Sequence, residues 1–301
     1  GMGIGDVATY DLFVSRQQAD GKWSEPKNLG YPINTSGNEG AFYVSLDGKT
    51  AYFSAQNNPK GMGGDDIFSF DLPENLRPQP MTYVKARVLD FETRQPIVAK
   101  TDFIDLEKHE NWRSANTNPD GTFLTCLPVG KNFALEVSKK GYIFHSENFN
   151  LAETNLANKP YLLDILLQKL PSSIVSSGTT SGSVPASGKP IILKNIFFET
   201  NSAVLKPESE NELLILKNLL VENPTLKIRI NGHTDDVGTE AENQVLSENR
   251  AKAVFDFLQK NGIETARLRF RGFGESMPIE PNSTPEGRSA NRRTEFEVIE
   301  N

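Results

Sequence analysis

Residues 226–260 read LKIRINGHTDDVGTEAENQVLSENRAKAVFDFLQK, and they predict a strand, a loop and a long helix in that order. The run Leu226–Ile230 alternates apolar and polar residues, which is the period of a strand with one buried face. From about Glu242 to Lys260 the apolar residues recur at helical spacing, and Asn261-Gly262 ends the helix. A strand that leads into a helix through a polar loop is typical of a layered α/β structure.

The flanking residues extend this pattern over 191–301. The further predicted elements are a strand over 191–193 and 196–198, a helix over 207–222, a strand over 268–272, a short helix near 285–290 and a strand over 294–299. An order of βαβαβ, completed by the short helix and the last strand, predicts an α/β sandwich with two helices packed on one sheet.

Two charged residues are unusual for their predicted positions. At about 100° per residue, Arg250 falls on the apolar stripe of its helix, between Leu246 and Val254. A guanidinium among core-facing side chains needs a partner, because its desolvation is costly. Asp235 lies just past the carboxyl end of a strand, at the edge where sheet-and-helix folds bind ligands. The pair therefore predicts either a ligand pocket or a structural salt bridge between Asp235 and Arg250.

The same residues carry a resemblance to a known family. From near Leu193 to the end, the chain resembles the OmpA-like peptidoglycan-binding domain, with many motifs in the right order and spacing. The matching motifs are Gly232-His233-Thr234-Asp235, Asn243, Leu246-Ser247 with Arg250-Ala251, Gly262-Ile263, Arg267-Leu268, Gly272-Phe273-Gly274, Pro278, Asn282, Gly287-Arg288 and Asn291-Arg292-Arg293.

This resemblance implies non-covalent binding of the peptidoglycan stem peptide at its diaminopimelate residue. In the family, the motif aspartate contacts the ligand's ammonium and the helix arginine contacts its carboxylate, which here are Asp235 and Arg250. An aspartate accepts hydrogen bonds from an ammonium, and an arginine holds a carboxylate with two parallel hydrogen bonds. The resemblance implies four further residues in or beside the pocket: Asn243, Arg292, Thr234 and Leu246.

Residues 1–76 predict an all-β segment. Asp47-Gly48 between two alternating runs predicts a hairpin over 42–54, and residues 63–70 predict a third strand. The segment resembles TolB-like β-propeller blades in three motifs, SLDGKTAYFS, GGDDIF and DGKWSEPKNLG. It is too short to close a propeller of about 4–8 blades, and an ordinary β-meander is the alternative.

Residues 80–169 predict six or seven short strands separated by turn signals, which favours a small β-sandwich. The segment resembles the carboxypeptidase-regulatory-like, or transthyretin-like, domain in its motifs VKARVLDFETRQPI, NPDGTF and LPVGKNFALEVSKKGY. That resemblance implies a structural or spacer module. Residues 170–190 are rich in Ser and Gly, and they predict a flexible linker that leaves the orientation of the last domain free.

Composition excludes several function classes. The 301 residues carry a net charge of −7, and neither half is basic, which argues against binding to nucleic acid. The single cysteine excludes a Cys-rich zinc site, and with three histidines in the chain we expect no metal site built from several histidines. A metal-assisted hydrolase built on His233 with Asp235 and Asp236 lacks further ligands at recognisable spacing. We therefore expect no enzyme, no metal and no cofactor. A scaffold without a ligand is the other alternative.

The motif Gly1-Met2-Gly3 recurs as Gly61-Met62-Gly63, so the chain is expected to begin inside a repeat array. It shows no signal-peptide pattern and no apolar run of membrane-spanning length. We expect a fragment of a longer precursor at the periplasmic face of the outer membrane. It would anchor a cell-envelope assembly to the cell wall, with envelope proteins as partners of its β domains.

Overall fold

The computed structural model describes residues 10–16, 22–56, 58, 60–151, 160–171 and 189–300. The Gly1-Met2-Gly3 motif and residues 172–188 of the linker lie outside the described residues. The chain divides into two compact units. The first contains the described residues up to 84 with 125–130 and 160–161, and the second contains 85–124, 131–151 and 162–300.

The first unit contains two small antiparallel sheets. Their strands are β1 (Phe13–Val14), β2 (Lys27–Asn28), β3 (Glu39–Val44), β4 (Thr50–Gln56) and β5 (Asp65–Asp71). Strands β1 and β2 pair, and β3, β4 and β5 form a meander in which Phe53 packs against Phe68 and Phe70. The predicted hairpin is confirmed, with Gly48 at a φ of 73° in its turn, a conformation that favours glycine. The described residues form no propeller, so the likeness to a blade is limited to this meander.

Seven strands follow in two further sheets. They are β6 (Met81–Asp90), β7 (Lys100–Asp105), β8 (Glu110–Asn116), β9 (Thr122–Pro128), β10 (Asn132–Ser138), β11 (His145–Asn150) and β12 (Tyr161–Leu167). One sheet has the order β12-β6-β9 and the other β11-β10-β7-β8. The ring of Phe103 lies 6.1 Å from that of Phe123 in the other sheet, so this contact joins the two sheets, and it lies 6.3 Å from that of Phe149 in its own sheet. The predicted β-rich character is confirmed, and the carboxypeptidase-regulatory-like identity stays a prediction.

The C-terminal domain is a mixed sheet with helices. Its elements are β13 (Ile191–Leu193), α1 (Glu210–Glu222), β14 (Lys227–Gly232), α2 (Glu240–Lys260), β15 (Leu268–Gly272), α3 (Pro285–Asn291) and β16 (Thr294–Glu300). The sheet order is β13-β16-β14-β15, with only β14 and β15 parallel. The predicted α/β arrangement is confirmed. Residues 196–198 differ, because only Phe198 makes an isolated bridge, to Leu205.

The core of this domain follows the predicted periodicities. Residues Ile228 and Ile230 of β14 are fully buried, and the buried leucines of α1 and the apolar stripe of α2 pack in the same cluster. Helix α2 begins with a capping box in which Thr239 and Glu242 satisfy each other's backbone amides. No helix of the described residues is long and apolar enough to cross a membrane.

Strand β10 of the four-stranded sheet β11-β10-β7-β8 is covered on both faces. Every residue of Phe133–Val137 in β10 is buried, which is the pattern of a strand with two covered faces. On the face away from the aromatic residues, Ala134 clusters with Phe197. Just before β11, the ring of Phe144 stacks on that of Phe296 in β16, 6.0 Å away. The sandwich and the C-terminal domain therefore share a core within the second unit, and the flexible linker over residues 170–190 stays a prediction.

Two carboxylates are buried where this sheet face meets α1. Glu136 of β10 is 2% exposed, and neither of its carboxylate oxygens has a partner among the described residues. Glu212 of α1 is fully buried and accepts hydrogen bonds from Ser146 Oγ at 2.5 Å and from the backbone amide of Asn195. Burial raises the pKa of Glu212 to about 7. Burial, and secondarily the charge of Glu212, raise the pKa of Glu136 well above its ordinary value.

Two glycines let α2 approach the sheet closely. Gly232 and Gly272 are register partners across β14 and β15, and a Cβ at either would overlap the backbone of α2 at Ser247 or Glu248. We therefore expect Gly272→Ala to lower the free energy of unfolding by about 1–3 kcal/mol, as overpacking of a core does. Urea denaturation measures this change. The matched control is Gly40→Ala in β3, where the added Cβ meets only Ser54 Oγ at 3.6 Å. Equal stability of the two variants would contradict the prediction.

Candidate functional site

Asp235 lies in the loop between β14 and α2, as predicted, and is 7% exposed. Its Oδ1 accepts a hydrogen bond from the Val237 amide at 3.2 Å, which fixes the loop. Its Oδ2 accepts from Nη1 of Arg292 at 2.5 Å, and this contact is also an ion pair. The carboxylate therefore joins two segments that lie 57 residues apart in sequence.

Arg250 lies on α2 with a half-buried side chain. Its Nε donates to the carbonyl of Ser202 at 3.0 Å, and its guanidinium lies over the ring of Phe198, 5.1 Å from the centroid. Burial lowers the pKa of Arg250, and the charge of Arg292 lowers it further, while Asp235 acts in the opposite direction. Arg250 forms no ion pair with a carboxylate among the described residues. The salt-bridge alternative is therefore wrong in its partner, because Asp235 pairs with Arg292.

The remaining predicted residues surround this cluster to different degrees. Asn243 is buried, and its Nδ2 donates to the Asp235 carbonyl at 3.2 Å and to Glu275 Oε2 at 2.6 Å. Thr234 is buried, and its amide donates to the Gly274 carbonyl at 2.9 Å. Leu246 is half-buried on α2, one turn before Arg250. The structure thus brings Asp235, Asn243 and Arg292 into direct contact and places Arg250 within electrostatic reach of them.

His233 supports the site from behind the loop. It is 2% exposed, stacks on Phe273 at 5.2 Å and shares a hydrogen bond of 3.0 Å between its Nε2 and Glu295 Oε1. Burial alone would raise the pKa of Glu295, but contacts with His233 and Arg293 outweigh it and lower that pKa. In the described parts of the chain, no three His, Cys, Asp or Glu residues are grouped to hold a metal ion.

Sequence reasoning missed three residues that contact the predicted site. Phe198 and Ser202 hold Arg250, and Glu275 holds Asn243. Ser202 and Glu275 lie in irregular loops, where no periodicity indicates which way a side chain or carbonyl points. Phe198 ends a predicted strand, and an aromatic residue at that edge was the one signal available.

A cavity of about 870 Å³ opens beside Arg250. From the C-terminal domain its lining includes Phe197, Phe198, Lys206, Arg250, Ala290 and Arg292. Five basic residues and two acidic ones, Glu208 and Glu280, line this side of the cavity, so its net charge is positive and a ligand carboxylate is the group that it would attract. Asp235 does not line the cavity directly but lies behind Arg292.

Comparison with known proteins matches the same part of the chain. The family model described as OmpA family matches residues 197–292. Three relatives are similar to part of this chain. The probable lipoprotein YiaD of Escherichia coli is 37% identical over 139 residues, which cover 45% of this chain and 62% of that protein. The outer-membrane lipoprotein YfiB of Pseudomonas aeruginosa is 40% identical over 98 residues, which cover 33% of this chain and 58% of that protein. The peptidoglycan-binding protein ArfA of Mycobacterium bovis is 34% identical over 139 residues, which cover 43% of this chain and 43% of that protein.

The chain thus spans less than two thirds of the length of each of these relatives. The matched range begins in the segment before α1 and ends at Arg292, so it contains Asp235, Arg250 and the loop between them. Residues 197–292 therefore form a domain of the OmpA family.

Proposed function

We propose that the C-terminal domain, residues 191–301, binds the stem peptide of peptidoglycan without catalysis and so anchors a cell-envelope assembly to the cell wall. The observation that carries this proposal is Arg250. Its guanidinium is half-buried, lines a cavity and has no carboxylate partner among the described residues. Leaving a desolvated charge unpaired is costly, and a ligand carboxylate removes that cost.

The ligand group that fits this arrangement is diaminopimelate. Its amino-acid head carries a carboxylate for Arg250, whose terminal nitrogens are available for a bidentate contact. Its ammonium is attracted to the carboxylate of Asp235, which also forms an ion pair with Arg292. A lysine-type stem peptide lacks the second carboxylate, so Arg250 would stay unpaired in the complex.

The relatives support the same activity and a location. One is named a peptidoglycan-binding protein and another an outer-membrane lipoprotein. The OmpA family is non-catalytic, and the domain is a binding domain rather than an enzyme. We place the protein at the periplasmic face of the outer membrane. Its blade-like and carboxypeptidase-regulatory-like segments are proposed to contact envelope proteins.

Co-sedimentation of the full chain with purified sacculi tests this function. We expect the protein to pellet with diaminopimelate-type sacculi and to pellet much less with lysine-type sacculi, because only the first offers Arg250 its carboxylate. The loss of one charged contact corresponds to roughly 30-fold or more in affinity. Bovine serum albumin controls for trapping in the pellet. Equal amounts in the supernatant with and without either kind of sacculus would favour the scaffold alternative.

A further inference from the structure

The cavity beside Arg250 has a second wall, and this wall belongs to the sandwich. Asn132 at the start of β10 is the Cα partner of Asn150 at the end of β11, and Asn148 lies two residues before Asn150. Alternate residues of a strand share a face, and so do register partners, so these three amide side chains lie together. All three line the cavity, with Glu107 from the turn that follows β7.

This wall is fixed to the C-terminal domain. Asn148 Nδ2 donates to Asn195 Oδ1 at 3.0 Å, and Asn195 Nδ2 donates to the Glu147 carbonyl at 3.2 Å. Ala134, on the same sheet face, clusters with Phe197, which also lines the cavity. Packed side chains therefore set the distance between this wall and the opposite wall, which contains Arg250 and Arg292.

The size and chemistry of the cavity point to a peptide. A volume of about 870 Å³ lies in the range that encloses a ligand of several amino-acid residues, and it exceeds what one amino-acid head group fills. A carboxamide offers both a donor and an acceptor, which matches the N–H and C=O groups that alternate along a peptide backbone. The Oδ1 atom of Asn132 is buried from solvent and has no hydrogen-bond partner among the described residues, so this amide has an unmet hydrogen-bonding capacity.

We propose that the sandwich binds the backbone of the same stem peptide whose carboxylate Arg250 holds. This inference rests on the proposed function and extends it from one residue of the ligand to the peptide around that residue. Asn132 and Asn150 contact the backbone amides, and Glu107 accepts from a ligand N–H group. The sandwich is then part of the ligand site rather than a spacer.

Titration calorimetry on the full chain tests this with two probes, free meso-diaminopimelate and a soluble diaminopimelate-containing stem tetrapeptide. We expect Asn132→Leu to lower the affinity for the tetrapeptide about 2- to 13-fold, the effect of one neutral hydrogen bond, and to leave the affinity for the free amino acid unchanged. Glu107 is exposed and its side chain holds no other part of the described fold, so Glu107→Gln is expected to act in the same direction.

The matched control is Asn218→Leu, the same substitution on the exposed side of α1, in a separate cavity of about 920 Å³. It is expected to bind both probes as the wild type does. Tetrapeptide affinity that is unchanged in both Asn132→Leu and Glu107→Gln overturns the inference while the Arg250 site stands. Failure of the wild type to bind either probe overturns the proposed function, and the inference with it.

Discussion

Replacing Arg250 with alanine is expected to lower the affinity for a diaminopimelate stem peptide by about 30- to 4,000-fold. This corresponds to about 2–5 kcal/mol, the usual cost of truncating one partner of a desolvated charged contact. Among the described residues the side chain donates one hydrogen bond, through Nε to the Ser202 carbonyl, so its loss removes little that holds the domain together. Arg250→Lys is expected to be impaired too, because an ammonium makes no bidentate contact with a carboxylate.

Titration of the full chain with a soluble muropeptide measures these affinities, and circular dichroism shows whether each variant is folded. The matched control is Arg271→Ala. Arg271 also lies over an aromatic ring, that of Phe273 at 4.7 Å, but it does not line the cavity. A folded Arg250→Ala variant with wild-type affinity would refute the binding role, and equal losses in both arginine variants would point to a non-specific effect of charge.

The second large effect is expected in the pH dependence of stability. Burial raises the pKa values of Glu136 and Glu212, so the folded protein holds protons that the unfolded chain releases. This contribution is fully present below the ordinary carboxyl pKa of about 4.5 and is lost as pH rises through the folded value, about 7 for Glu212. These two groups therefore destabilise the second unit increasingly as pH rises above about 4.5, and the loss persists above pH 7, opposite to the usual effect of paired carboxylates.

The charged groups around Glu136 and Glu212 do not cancel this loss of stability. From β7, Asp102 faces Glu136 and raises its pKa, and Asp102 is itself paired with Lys100 at 2.8 Å. From β11, Glu147 is paired with Lys194 at 2.6 Å and with His145 at 3.0 Å. These contacts outweigh burial and lower the pKa of Glu147, so the basic groups nearby already have partners.

Glu136→Leu is expected to raise the free energy of unfolding at pH 8 by about 1–4 kcal/mol, the range found when buried charges are replaced by apolar residues. At pH 4.5 the variant and the wild type should differ much less. Urea denaturation at both pH values measures the difference, and Glu136→Gln separates the loss of charge from the gain of apolar surface. Glu110→Gln, on the exposed strand β8, is the control. The prediction is wrong if the difference in free energy of unfolding between Glu136→Leu and the wild type does not grow from pH 4.5 to pH 8.

The elements with a clear period were predictable from sequence. Alternation in β14 and the leucine spacing of α1 each predict one buried face, and in each element that face is buried as expected. Asp47-Gly48 marks its hairpin because only a few residues tolerate a positive φ. What covers the second face of β10 was not predictable. The run Phe133–Val137 shows that both faces are buried, but no local pattern names the surface that lies opposite.

The site was predictable only in part, for a similar reason. Arg250 and Asp235 stand out because each is charged at a position that local geometry makes special. The pairing of Asp235 with Arg292 depends on where the chain returns after α3, and loop geometry rather than periodicity decides this. The cavity wall formed by Asn132, Asn148 and Asn150 could not be predicted either. Its position depends on contacts between two domains that a linker-like segment separates in sequence.

The stacking of Phe144 on Phe296 has a mechanical consequence. If the C-terminal domain holds the cell wall, tension on the protein passes from that domain to the sandwich by two routes in parallel, the covalent connection over residues 171–190 and the packed interface. The packed interface therefore carries part of the load in parallel with the covalent connection. Separation of the two domains requires Phe144 to leave Phe296, so part of the tension acts on this contact.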